Sequence, residues 1–148
     1  MNQKLKFKII TPEREVNSLE VDQVTLMTTS GEITILPGHI PLVSILQPGE
    51  LRYKKDGAEE SLAVSGGFVE VKNDNSVYVL ADTAEIAHEI DIKRAQEAML
   101  RAEKTMAEAR NREDVDYTAL QTDLQRAINR LKIGKKYKKL PQAEIKVE

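Results

Sequence analysis

A β-sandwich or barrel followed by an antiparallel pair of helices is the architecture this chain predicts. Two observations carry that prediction. Over the first 81 or so residues, apolar side chains recur with period 2 and are punctuated by turn residues. From Ile92 onward the apolar spacing changes to 3 and 4, the mark of one face of a helix.

The strands are read in order. Leu5, Phe7 and Ile9 alternate with lysines, giving a first strand with one buried face. Short apolar runs follow at 21–27, 32–36, 42–46, 51–53, 62–64, 68–71 and 77–80. Thr11-Pro12, Ser30-Gly31, Pro37-Gly38, Pro48-Gly49, Asp56-Gly57, Gly66-Gly67 and Asn73-Asp74-Asn75 separate them. Proline presets φ and glycine permits positive φ, so each pair reverses the chain or breaks a ladder. Strands spaced at about 8–12 residues with such turns predict a sandwich or barrel. With two phenylalanines and no tryptophan, its core falls to Val, Leu and Ile.

Ile92, Ala95, Met99, Ala102, Met106 and Ala109 form one helical stripe, with Asp91 as N-cap. Residues 111–115 are polar enough to break the helix. Asp116 then caps a second helix whose stripe is Tyr117, Leu120, Leu124, Ala127 and Leu131. The helices span about 28 and 24 Å at 1.5 Å per residue. Gly134 and Pro141 are expected to end regular structure. This gives a docking sandwich over 1–88, a helical hairpin over 89–133 and a basic, flexible tail over 134–148. The first stripe is mainly alanine and methionine, and alanine buries little area at roughly 25 cal/mol per Å². The hairpin is therefore expected to be weakly self-sufficient and able to leave its partner.

Composition excludes several chemistries. There is no cysteine among the 148 residues, which removes disulfides, zinc-thiolate sites and thiol nucleophiles. The net charge is −2, but the halves differ. Residues 1–88 hold 8 Lys/Arg against 13 Asp/Glu, and residues 89–148 hold 14 against 11, so the two regions suit different surfaces. No apolar stretch reaches the roughly 20 residues that cross a bilayer. The alternating N-terminus does not read as a signal peptide. Membrane association is thus expected only through partners.

No catalytic constellation stands out. The two histidines, His39 and His88, lie far apart in sequence. There is no Gly-x-Ser-x-Gly elbow, no metal-spaced histidine pair and no phosphate-cradling glycine loop before a helix. Gly66-Gly67 reads as a bulge or close packing point. Lys132, Lys135, Lys136, Lys138 and Lys139 surround Tyr137. Lysines suit a helix C-terminal dipole, so a solvated helix end accounts for this cluster better than a nucleic-acid or lipid contact.

Four arginines are more informative. Arg94 and Arg101 lie seven apart on one flank of the first stripe, and Arg126 and Arg130 lie four apart on the second helix. In a paired hairpin the four can border one groove, with Asp91 and Glu85 near its mouth. Guanidinium forks suit triphosphate oxygens. Ordinary ion pairs with Glu97, Glu103 and Asp123 are the other reading of these positions.

Three segments carry a resemblance. Gly31-Glu32-Ile33-Thr34-Ile35-Leu36-Pro37-Gly38-His39-Ile40-Pro41-Leu42 resembles the L-P-G-H-x-P-L signature of the epsilon subunit of bacterial F-type ATP synthases. Val64-Ser65-Gly66-Gly67-Phe68-Val69-Glu70-Val71 is similar to that family's second motif, and Ile90-Asp91-Ile92-Lys93-Arg94-Ala95 to the start of its helical hairpin. The resemblance covers residues 4–133 and departs at Thr34, where the family usually has glycine.

The resemblance implies a non-catalytic central-stalk subunit that couples proton flow to rotation. Its expected partners are the gamma subunit, the membrane ring of c subunits (met through Glu32 and His39) and, with the hairpin extended, the catalytic alpha/beta head, where it inhibits ATP hydrolysis. It implies no required cofactor, no metal and no nucleic acid. ATP is an expected regulatory ligand at positions matching Glu85, Ile90, Asp91, Arg94, Ala95, Arg101, Arg126 and Arg130. The location implied is the cytoplasmic face of the bacterial cell membrane. A free-standing ATP-sensing sandwich and hairpin is the alternative.

Overall fold

The computed structural model describes residues 3–139. The described chain divides into two compact units, with the boundary between Ile86 and Ala87. The first holds β1 (Leu5–Ile10), β2 (Glu15–Val21), β3 (Gln23–Thr28), β4 (Gly31–Ile35), β5 (Leu42–Ile45), β6 (Gly49–Lys55), β7 (Ala58–Val71) and β8 (Ser76–Ile86). The second holds a 3-10 turn (Ala87–Glu89), α1 (Ile92–Ala109) and α2 (Tyr117–Lys139).

The strands run β2-β1-β8-β7-β6-β3-β4, with β5 paired to β7. Two long strands make a sandwich of this one ladder. The first half of β7 pairs with β6 (Leu62 opposite Leu51), and its second half pairs with β5 (Phe68 opposite Ile45). β8 follows β7 throughout and takes β1 in parallel along its first half. Between the halves sit Gly66 and Gly67, at φ +60° and +102°. A Cβ on Gly67 would stand 1.9 Å from the Leu80 carbonyl oxygen, so only glycine lets the strands approach here. The runs 62–64 and 68–71 are therefore one strand bent at a close packing point, not two strands separated by a turn. The 21–27 run instead splits at Asp22 into the end of β2 and β3.

Leu5, Phe7 and Ile9 face inward with Val24, Leu26, Leu51, Leu62, Val69, Val77 and Val79, giving the aliphatic core that the composition predicts. Phe7 and Tyr53 meet with ring centroids 5.5 Å apart. At the family departure, Thr34 sits opposite Thr25 and their hydroxyls hydrogen-bond at 2.9 Å, a cross-strand pair that suits a ladder.

In the second unit, α1 begins at the expected cap: Asp91 Oδ1 accepts the Arg94 N–H at 3.1 Å. Asp116 caps α2 by accepting the Ala119 N–H at 3.1 Å. α2 does not end at Gly134 but continues to Lys139, about 34 Å in all. Packing overrides propensity, because Gly134 is buried against Ile90 and Ile92. Pro141 and the rest of the expected tail after Lys139 lie outside the described residues.

Candidate functional site

The Leu36–His39 segment folds into a tight turn, the His39 N–H donating to the Leu36 carbonyl at 3.0 Å. Pro37 occupies its second position and Gly38, at φ +87°, its third, the pattern of a type II turn. The Gly38 N–H donates to Asn75 Oδ1 at 2.8 Å, which ties this tip to the turn between β7 and β8. His39 Nδ1 lies 2.7 Å from the Ile40 carbonyl oxygen. A carbonyl only accepts, so Nδ1 carries the proton and Nε2 is left as the second polar group of the ring. Beside it, Ile40 is 74% exposed and Leu36 51%, an apolar collar around a polar tip.

Glu32 stands near the start of β4, and His39 lies past its other end. The three residue steps from Glu32 to Ile35 alone span about 10 Å at ~3.3 Å per residue, so the two expected ring contacts are separate points on the unit. Glu32 lies 3.6 Å from Arg52 Nη2, and Arg52 Nη1 lies 3.6 Å from Glu50. Glu50 in turn accepts from the Ser61 hydroxyl at 2.7 Å. This exposed ion pair is worth little in stability, about 0–1 kcal/mol, but it orients the carboxylate.

A second feature escaped sequence reasoning. Ile45, Phe68 and Leu80 are directly opposed across β5, β7 and β8 and all three are exposed, Ile45 at 63%. Val43, two residues before Ile45 on the same face of β5, is 67% exposed. Alternation shows that a strand has two faces but not which face is covered; here both are apolar. Exposed apolar rows of this kind are characteristic of interaction surfaces.

The nucleotide-site positions fall on both units. Glu85 is on β8, opposite Ala63. The other seven are in the second unit. Ile90 and Ala95 are buried there, while Arg94 and Arg101 are exposed on α1. Arg126 and Arg130 are half-buried on α2, Arg126 with Nη1 3.9 Å from Asp123. The contact of Gly134 with Ile90 and Ile92 fixes α1 and α2 as antiparallel. Counting back along both helices from that contact levels Arg94 with Arg130. Arg101 and Arg126 lie farther along the same two helices, and Asp91 caps the start of α1.

Among the described residues, no group of three or more His, Cys, Asp or Glu is placed to hold a metal ion. No described helix is long and apolar enough to cross a membrane.

Comparison with known proteins accords with these features. Residues 4–87 match the model of the ATP synthase delta/epsilon chain β-sandwich domain, and residues 88–135 that of its long α-helix domain. The chain is 50% identical over 141 residues to an ATP synthase epsilon chain of Dehalococcoides mccartyi, covering 94% of this chain and 98% of that one. It is 43% identical over 136 residues to that of Geotalea daltonii, covering 92% and 97%. In structure it resembles a chain of the Euglena gracilis mitochondrial ATP synthase, with a TM-score of 0.69 at 22% identity over 82% of this chain and 76% of that one. With a sandwich and a capped helix pair both matched over nearly the whole chain, the protein belongs to the ATP synthase epsilon chain family.

Proposed function

We propose that this chain is a non-catalytic subunit of the rotating central stalk of a proton-translocating ATP synthase, peripheral on the cytoplasmic face of a bacterial membrane. Its sandwich docks on the gamma subunit and on the ring of c subunits, so that proton flow through the ring turns the stalk. The observation that carries this reading is the exposed row Ile45–Phe68–Leu80 with Val43, beside a rigid tip bearing His39. A sheet face of that character is stable in water only at a cost that burial in a partner removes.

The helix pair is a regulatory arm. Folded, it permits turnover; extended into the alpha/beta head, its basic helices block ATP hydrolysis. ATP held by Arg94, Arg101, Arg126 and Arg130, with Asp91, favours the folded form. A ligand that binds one form only stabilises it by about 2.7 kcal/mol at 100 times its Kd. Moving a population from 1:99 to 99:1 takes about 5.5 kcal/mol, so ATP controls the arm only if its two positions are already nearly balanced.

Two measurements test this. Complexes reconstituted with the full chain or with residues 1–88 are compared for ATP hydrolysis; truncation raises the rate, and an unchanged rate removes the inhibitory role. ATP titration of wild type against Arg126→Ala tests the nucleotide site: weakened binding by the variant supports it, and no response from either protein refutes it.

A further inference from the structure

α2 carries a glycine in its interior, at a point where helix propensity argues against one. Gly134 is buried, and a Cβ there would stand 2.8 Å from Ile90 Cγ2, 2.8 Å from Ile92 Cδ1 and 3.3 Å from Ile90 Cβ. Ile90 is 1% exposed, and Leu131, Ile133 and Ala87 are buried in the same unit. The bare backbone of α2 thus rests on the two isoleucines that flank the capping residue Asp91. Real Cβ atoms do not approach side chains this closely, so an alanine at 134 forces a shift. Ile92 Cδ1 is a side-chain end that can turn aside, whereas Ile90 Cγ2 is a branch methyl on a buried residue and has little room to move.

We propose that Gly134 is a steric clasp: its missing side chain lets the last turns of α2 close on the entry to α1 and hold the Asp91–Ala95 turn in place. The other end of the pair is tied by the connection between Ala109 and Tyr117. Separation of the helices therefore begins at the clasp end. Gly134 is a positioning residue, acting through Ile90 and Ile92 on the turn that presents Arg94. The inference deepens the switch reading above and rests on it for its regulatory meaning.

The two physical effects of Gly134→Ala have opposite signs, which makes the test sharp. Propensity alone makes the variant helix more stable, whereas the collision opens it. Amide hydrogen exchange is followed in the full, unliganded chain at Ala95, whose N–H donates to the Asp91 carbonyl at 2.9 Å. Gly134→Ala is expected to speed that exchange by about tenfold while Val69 and Val79 in the sandwich stay unchanged. Adding Ile90→Leu and Ile92→Val, which remove the two colliding methyl groups, is expected to restore it to within about threefold. Exchange that is slowed or unchanged by Gly134→Ala overturns the clasp, and so does failure of the relieving pair to restore it. ATP titration of the same proteins separates the two ideas: a wild type that binds no ATP refutes the nucleotide site and leaves the clasp to stand on exchange.

Discussion

Asn75 Oδ1 accepts the Gly38 N–H at 2.8 Å across 37 residues of sequence, and Asn75 itself sits at φ +66°. The same residue offers its carbonyl to the Lys6 N–H at 2.8 Å, so one turn residue organises three segments. Asn75→Gly keeps the backbone accessible and deletes only the side-chain acceptor. It is expected to cost about 0.5–1.5 kcal/mol in urea unfolding and to speed exchange of the Gly38 amide. If His39 is the ring contact proposed above, the substitution should also weaken coupling in the assembled enzyme, because His39 loses its fixed position. Unchanged exchange at Gly38 sinks the pinning argument.

Glycines with the same sign of φ should differ sharply when replaced. Gly67 faces the Leu80 carbonyl at 1.9 Å from a built Cβ, whereas Gly57 at φ +85° has nothing within 4 Å. Gly57→Ala carries conformational strain alone, about 1–2 kcal/mol. Gly67→Ala adds a backbone collision that must part β7 from β8, and should cost more than about 3 kcal/mol. Urea midpoints of the two variants decide this; equal losses show that β8 shifts freely.

Much of this architecture is legible in the residues themselves. Alternation at Leu5, Phe7 and Ile9 predicts β1 and its buried face, and Asp91 and Asp116 predict both helix starts because caps satisfy local amides. What depends on distant packing was not legible. Gly66-Gly67 is legible as a close packing point, but its place among the turn signals splits 62–64 from 68–71, and only pairing with β8 shows one strand running through it. Gly134 reads as a helix end, yet burial against Ile90 and Ile92 carries α2 past it. Glu32 and His39 stood out only through resemblance, since a glutamate on a strand and a histidine on a turn are common in any sandwich. The row from Ile45 to Leu80 needed the register, which no local pattern supplies.

Acid should loosen one corner of the sandwich first. Lys4 bridges the carboxylates of Asp22 and Asp56, and Asp22 Oδ2 also accepts the Asp56 N–H at 2.8 Å. The Lys4 hydrogen bond, then that amide, hold the Asp22 carboxyl below the usual range. A depressed folded pKa gives stability that is present above the unfolded value, about 3.9, and lost as pH falls through the folded one. Lys4 is shifted upward, chiefly by its bond to Asp22, so its share is present below about pH 10.4 and lost as pH rises through the raised value. Asp22→Asn should therefore be less stable than wild type at pH 7, with the gap narrowing below about pH 4. Thermal melts at both pH values check it; a gap that persists in acid removes the charge-based account.

Docking through the apolar row makes a last prediction with separable readouts. Ile45 is on β5, a short strand paired along one edge to β7, and its side chain is mostly in solvent. Ile45→Lys should thus change the stability of the isolated chain by no more than about 1 kcal/mol. If the row is the rotor contact, the same substitution places an ammonium in a desolvated apolar interface. Affinity for gamma should then fall by about tenfold or more, an effect of the size seen at interface hot spots. Glu32→Gln, which leaves the row intact, should leave binding to gamma unchanged. Isothermal titration of gamma with the three proteins tests both statements at once. Equal affinity of Ile45→Lys and wild type would move the gamma contact to another face, while loss with Glu32→Gln would place it on the Arg52 side of the sandwich.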